Sequence, residues 1–345
     1  MRIYLLPEKG SFYKANLHCH STISDGKWTP EEIKKNYQAE GYSIVAYTDH
    51  DIMIPHPELA DENFLPMVGY EIEISQAYYG DAPRETVRRR TCHLCFVGLT
   101  PDVKQVCWHR EKYLFGNAPD YRDQAIVDES LPNFERLYHP ECINEMIRRG
   151  VEGGFFVTYN HPVWSLERYP EYMSYHGMHA MEIVNNSCLC GGFNDYNPSV
   201  FDDMLLGGKR VFCSATDDNH NAHPENPDSF GGFNMIKAEG LTYESISKAL
   251  LRGDFYASQG PLIHDLYVED GHIHIRCSDA AEIALTTDCR RAKRALPSDG
   301  KPLCEASFTF HELDHYFRLT VTDVNGKRSH TQAYYPKEIL AQIKK

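Results

Sequence analysis

No apolar run in this 345-residue chain approaches the roughly 18–20 residues that cross a bilayer, so no membrane-spanning helix is expected. Residues 1–9 carry no apolar stretch of secretory length, and no signal peptide is expected either. Paired-disulfide spacing is also missing. The eleven cysteines are odd in number and scattered, which suits reduced thiols and a cytoplasmic location. Basic charge is scarce too: 35 Lys and Arg against 49 Asp and Glu leave a net charge of −14. That balance works against the basic surface that non-specific binding to nucleic acid needs, so a nucleic-acid polymer is disfavoured as a partner. A small anionic substrate stays open, because a local cluster of positive charge can dominate the field of its own pocket.

The chain does contain a succession of short apolar or β-branched runs, most of them ending in a polar residue: 15–20, 43–48, 66–74, 92–99, 154–160, 180–185 and 211–216, with 233–238 a further candidate. Helical patterns lie between several of them. One opens at Pro30 behind Thr29, a second covers 142–149 and is stopped by Gly150, and a third covers 198–206 ahead of Gly207-Gly208. This alternation predicts an α/β fold with a parallel sheet, and the number of strands points to a closed barrel over residues 1–260. Residues 100–141 interrupt the pattern, are rich in charge and aromatics, and are expected to lie over the barrel mouth. From about Leu262 alternating runs follow one another without helices, separated by turn signals such as Asn325-Gly326. They predict a small antiparallel β-sandwich over 261–336, with 337–345 a short basic helix or frayed tail.

The richest stretch is His18-Cys19-His20, with Ser24-Asp25-Gly26 and Tyr47-Thr48-Asp49-His50-Asp51 close behind. Side chains alternate along a strand with period two, so the two imidazoles of an extended H-x-H point the same way and can grip one transition-metal ion. Two satisfied core histidines on one strand face would be the bland alternative. Cys92 and Cys95 flank His93, but on a strand their sulfurs face opposite ways, so no thiolate site is expected there.

These motifs, together with Asn160-His161-Pro162 and Asp218-Asn219-His220 in the same order, resemble those of the PHP (polymerase and histidinol phosphatase) family. The resemblance implies a distorted seven-stranded β/α barrel, TIM-like, that holds two or three divalent ions and hydrolyses phosphoesters. It further implies as metal ligands His18, His20, Asp25, His50, Glu71, His93, His161, Asp218 and His220. Asp25 could instead turn the chain with Gly26, and Glu73, on the same strand face as Glu71, competes for the bridging position. A donor set of imidazole and carboxylate suits Zn, Mn or Fe without choosing among them. Asp49 is expected to transfer a proton or to orient an imidazole, as Asp51 and Glu182 could also do. A hydroxide shared by two ions would attack a small phosphate ester, either a phosphomonoester or a nucleotide. Arg110, Arg122 and Arg168 are phosphate-clamp candidates by location only. Three rivals remain: an amide or lactone hydrolase on the same barrel, a 3′–5′ exonuclease, and a non-enzymatic metal-binding module.

Overall fold

Strand β2 (Ser11–Asn16), whose end carries the H-x-H pair, lies inside a thirteen-stranded sheet in the computed structural model, which describes residues 2–77, 88–223, 225, 227–298 and 301–343. On one side of it follow β3 (Ile44–Tyr47) and β4 (Leu65–Ser75), both parallel to it. Next come β5 (Thr91–Gly98), antiparallel to both its neighbours, and β6 (Phe155–Tyr159). The parallel strands β7 (Ala180–Asn185) and β8 (Phe212–Thr216) complete that side. The other side runs through β9 (Phe233–Ala238) and β10 (Phe255–Ser258), both in antiparallel pairings.

This arrangement corrects the expected closed seven-stranded barrel. The backbone ladder stays open between β8 and β9. Beyond the ends of the strands the gap is spanned, because Asp218 N–H donates to the His18 carbonyl (3.0 Å) and His20 N–H to that of Asn219 (3.1 Å).

Helices pack their apolar faces on the sheet. In α1 (Pro30–Ala39), a Thr29–Glu32 capping box starts the helix and Ile33 and Tyr37 are buried. In α2 (Pro140–Glu152) the buried residues are Ile143, Met146 and Ile147, each worth about 1.5–3 kcal/mol of hydrophobic stabilisation. Gly150 does not stop α2 as expected; it lies inside the helix. A Cβ there would meet the Phe96 ring at 2.8 Å and Val157 at 2.9 Å, so the glycine serves close helix–sheet approach, and the helix ends at Gly153. Helices α3 (Tyr169–Ser174), α4 (Asn186–Cys190), α5 (Pro198–Leu206) and α6 (Tyr243–Arg252) follow.

The strands after Leu262 divide between two sheets, in antiparallel pairings. Strands β11 (Ile263–Glu269), β12 (His272–Ala280) and β15 (Leu303–Thr309) pair with the N-terminal β1 (Ile3–Tyr4) in a four-stranded sheet. Strands β13 (Glu282–Thr287), β14 (Lys293–Ala295), β16 (Phe317–Thr322) and β17 (Arg328–His330) extend the large sheet through β10. Leu266, Ile273 and Ile275 of the smaller sheet share a core with Ile283, Leu319 and Val321 of the larger. The final helix, α7, covers Pro336–Ile343. Among the described residues no helix is long and apolar enough to cross a membrane.

Candidate metal centre

The backbone beyond β2 stays extended, and period-two alternation turns His18 and His20 to one side, with their Nε2 atoms 3.1 Å apart. Glu71, at the middle of β4, lies at the centre of the constellation. Its Oε1 is 3.1 Å from His93 Nδ1, 3.3 Å from His18 Nε2 and 3.4 Å from His161 Nε2. Its Oε2 is 3.0 Å from His50 Nδ1 and 3.4 Å from His20 Nε2. Glu73 comes only within 3.8 Å of His93, so of the two competing glutamates it is Glu71 that occupies the middle.

Asp218 Oδ1 lies 3.0 Å from His20 Nε2 and 3.1 Å from His18 Nε2. Asp25 stands opposite, 3.5 Å from His220 and 3.8 Å from His50. Gly26 lets that loop close, since a Cβ there would meet the His20 carbonyl oxygen at 2.4 Å. The structure thus brings together all nine residues singled out in the sequence. Their donor atoms fall into three groupings: His20, Asp25, His50 and His220; His18, His20, Glu71 and Asp218; and His50, Glu71 and His93. His161 adjoins the last two through Glu71 and Asp218. Strain also gathers here: His161 (φ 22°), Asp218 (φ 53°) and Asp51 (φ 62°) are held in the left-handed region.

These residues fit metal ions on a direct test. His20 Nδ1, Glu71 Oε2, His93 Nε2 and Asp218 Oδ1 are buried and, among the described residues, have no hydrogen-bond partner. Such orphaned atoms are rare and cost a few kcal/mol each unless something fills the space between them. All four are metal donors, and among the described residues no cysteine enters the three groupings. The electrostatics are divided: burial lowers the His50 imidazole, but Glu71 beside it raises it to about 10. Burial opposes ionisation of the Asp25 carboxyl, but the His220 hydrogen bond and His50 outweigh it and hold the pKa below the usual carboxylate range. Burial, followed by the proximity of His220 and His50, pushes the His20 imidazole down to about 4, leaving it neutral with a lone pair to donate.

A second layer of carboxylates grips the loops that carry the nine. Glu182 accepts from His18 Nδ1 (2.7 Å), Thr216 Oγ1 (2.6 Å), His161 N (2.9 Å) and Asn185 Nδ2 (2.9 Å). Asp228 accepts from the backbone N–H groups of His220 and Asn221, and Asp195 from those of Val163 and Trp164. Asp49 accepts from the amides and hydroxyls of Ser21 and Ser24 at 2.7–3.1 Å. These contacts make Asp49 an organiser of the loop leading to Asp25.

Sequence reasoning missed Asp195, Asp228 and Asn160, whose Nδ2 donates to Glu71 Oε1 at 2.7 Å. Only Asn160 left a trace, as the residue before His161 in the N-H-P motif. Seven of the nine residues, all but His18 and His20, line a cavity of about 290 Å³, with Phe115, Trp164, Phe193 and Ser187 among its walls. Of the three arginines suggested as a phosphate clamp none, among the described residues, lines this cavity. Arg110 pairs with Asn133, Arg122 lies over Trp108, and Arg168 precedes α3. Of residues 100–141, Phe115 lines the cavity, its ring 5.4 Å from that of His50.

Comparison with known proteins adds the following. No family model matches the chain. A 73-residue stretch is 38% identical to a 5′-3′ exoribonuclease of Haemophilus influenzae, covering 19% of this chain and only 25% of that protein. Among solved structures, a two-domain Bacteroides vulgatus protein containing a predicted PHP-like metal-dependent phosphoesterase matches over 96% of this chain and 98% of its own, at 14% identity and a TM-score of 0.43. A candidate metal-dependent phosphoesterase of Bifidobacterium adolescentis matches over 64% of this chain and 93% of its own, at 15% identity and a TM-score of 0.37. An amidohydrolase of Chromobacterium violaceum, with bound sulfate and no metal, matches over 62% and 89%, at 17% identity and a TM-score of 0.35. These neighbours include PHP-like phosphoesterases, the family that the motifs resemble. At such TM-scores they carry no weight for the activity of this chain, which has to be read from its own residues.

Proposed function

We propose that this chain is a metal-dependent phosphoesterase acting on a small phosphate ester, a phosphomonoester or a nucleotide. The observation that carries the reading is the convergence of six imidazoles and three carboxylates, several with orphaned buried donor atoms, at one small cavity that seven of the nine line. Two or three divalent ions (Zn, Mn or Fe) would be held by the three groupings, with Glu71 common to two of them and His161 alongside. Bound there, such ions would supply activation of water and neutralisation of charge building on phosphoryl oxygens. The chain's own residues orient and enclose. Glu182 fixes the His18 ring through Nδ1, Asp228 fixes the backbone at His220, and Asp195 fixes the turn after His161. Phe115, Trp164 and Phe193 wall the cavity and would shield the reacting group from water. The arc of strands from β9 through β2 to β8 is read as an opened form of the PHP barrel.

A second reading, an exonuclease acting on RNA, draws on the short stretch shared with the Haemophilus influenzae exoribonuclease. The charge of −14 and the size of the cavity favour the small substrate. A panel of phosphomonoesters and nucleotides assayed with Mn and with Zn, beside a gel assay on oligonucleotides, separates the two. Release of inorganic phosphate from small esters is expected. A fully metallated protein inert toward the whole panel would contradict the proposal.

A further inference from the structure

Residues 100–141 grip the two loops that bring Asp25 and His50 to the site. Arg136 is the firmest of these contacts. Its side chain is 5% exposed, its guanidinium lies over the Tyr113 ring, and its Nη1 donates to Asp51 Oδ1 (2.6 Å) and to the Glu73 carbonyl (2.7 Å). Asp51 follows His50 directly, is held at φ 62°, and donates its N–H to the Glu71 carbonyl at 2.7 Å. One cation therefore ties the strained turn after His50 to the strand carrying Glu71. Gln105, fully buried, grips the same turn twice: Nε2 donates to the Asp51 carbonyl (2.8 Å), and Oε1 accepts from Met53 N–H (3.0 Å). Asn117 holds the other loop, its N–H on the Ser24 carbonyl (2.7 Å) and its Nδ2 on that of Thr22 (3.0 Å). Next to it a Cβ on Gly116 would stand 2.3 Å from the same Ser24 oxygen, so the approach is close enough to need glycine.

We propose that residues 100–141 brace one grouping in particular, His20, Asp25, His50 and His220, with Arg136, Gln105 and Asn117 as its positioning residues. The inference rests on the reading that the nine residues hold ions. Two of the four ligands of this grouping, Asp25 and His50, ride on loops that the segment clamps. The grouping of His50, Glu71 and His93 has one such ligand, and that of His18, His20, Glu71 and Asp218 has none on a clamped loop, its Glu71 lying on the strand that Arg136 reaches through the Glu73 carbonyl. A side chain that orients a ligand through its backbone or neighbour commonly governs metal affinity by ten- to a hundredfold.

The test is a chelator-competition titration with Mn and with Zn, read beside metal content per chain and thermal melting. Arg136→Met is expected to weaken one ion by roughly tenfold or more while the tighter ions keep their affinity. Arg136→Lys should recover part of the loss, since an ammonium can still pair with Asp51 but lacks the guanidinium fork. Asn117→Ala, a milder change, serves if Arg136→Met fails to fold, and should weaken the same ion severalfold. Arg318→Met is the control, because it breaks a buried pair with Asp202 (2.6 Å) far along the chain and should lower the melting temperature with every ion retained. Wild-type affinities in Arg136→Met and Asn117→Ala, or a uniform loss of all ions, would overturn the brace and leave the proposed function standing. A wild-type protein that takes up no ions would overturn both.

Discussion

Two sets of buried carboxylates lie side by side in this protein, and their surroundings are opposite. Glu71 and Asp218 face ring nitrogens and each keep an oxygen with no hydrogen-bond partner among the described residues. Glu182, Asp228 and Asp195, behind them, accept hydrogen bonds on both oxygens. Chemistry of the side chain does not explain the contrast, nor does depth, since all are buried. The difference lies in what each set has been given to bind. The outer carboxylates are satisfied by N–H and O–H donors of the chain and hold loops in place. The inner ones, with the imidazoles, are arranged around something the chain does not itself provide. A third case completes the contrast. Glu167 is buried and accepts from the hydroxyls of Tyr138, Tyr159 and Tyr175.

The largest effect should come from the inner set. Asp218→Asn removes the charge facing His18 and His20 and is expected to lower kcat/KM by about a hundredfold or more, with loss of bound metal. Activity retained at full strength would erase the distinction between the two sets. An intermediate effect is expected at Glu182→Gln. One amide hydrogen must then face a donor among His18 Nδ1, Thr216, His161 N and Asn185, which costs about 1–3 kcal/mol of stability and loosens the His18 ring. Urea denaturation and metal titration of the same variant check both consequences.

The smallest effect is confined to stability. Burial raises the Glu167 carboxyl to about 7, against the lowering influence of its tyrosines. The folded chain therefore binds a proton that the unfolded chain releases near pH 4.5. Its contribution is complete below that pH and is lost as pH rises through 7, a decline on the order of 3 kcal/mol. Glu167→Gln should flatten this part of the stability profile, measured as denaturation midpoints at pH 5 and pH 8, with little change in metal content. An unchanged profile would show that the Glu167 carboxyl keeps the same proton affinity in the folded and unfolded chain.

How much of this was legible in the residues depended on how local each signal was. The H-x-H pair was readable because strand alternation alone aims His18 and His20 together. Glu71 and Glu73 could not be separated that way, since alternation puts both on one face. The choice falls to the packing of His18, His50 and His161 around Glu71. The strand runs were readable, but β5 reversing direction and the open edge between β8 and β9 depend on long-range hydrogen bonds. Gly150 looks like a helix stop by sequence, and only its nearness to Phe96 shows why it sits inside α2. Asp195, Asp228 and Arg136 left no pattern at all, because each acts on a loop at least seven residues away.

The most direct test of the central claim is elemental analysis of the purified protein after loading with Mn or Zn and removal of free ions. The account predicts two or three divalent ions per chain in the wild type and fewer in Asp218→Asn. A correctly folded wild-type protein that retained none would contradict it.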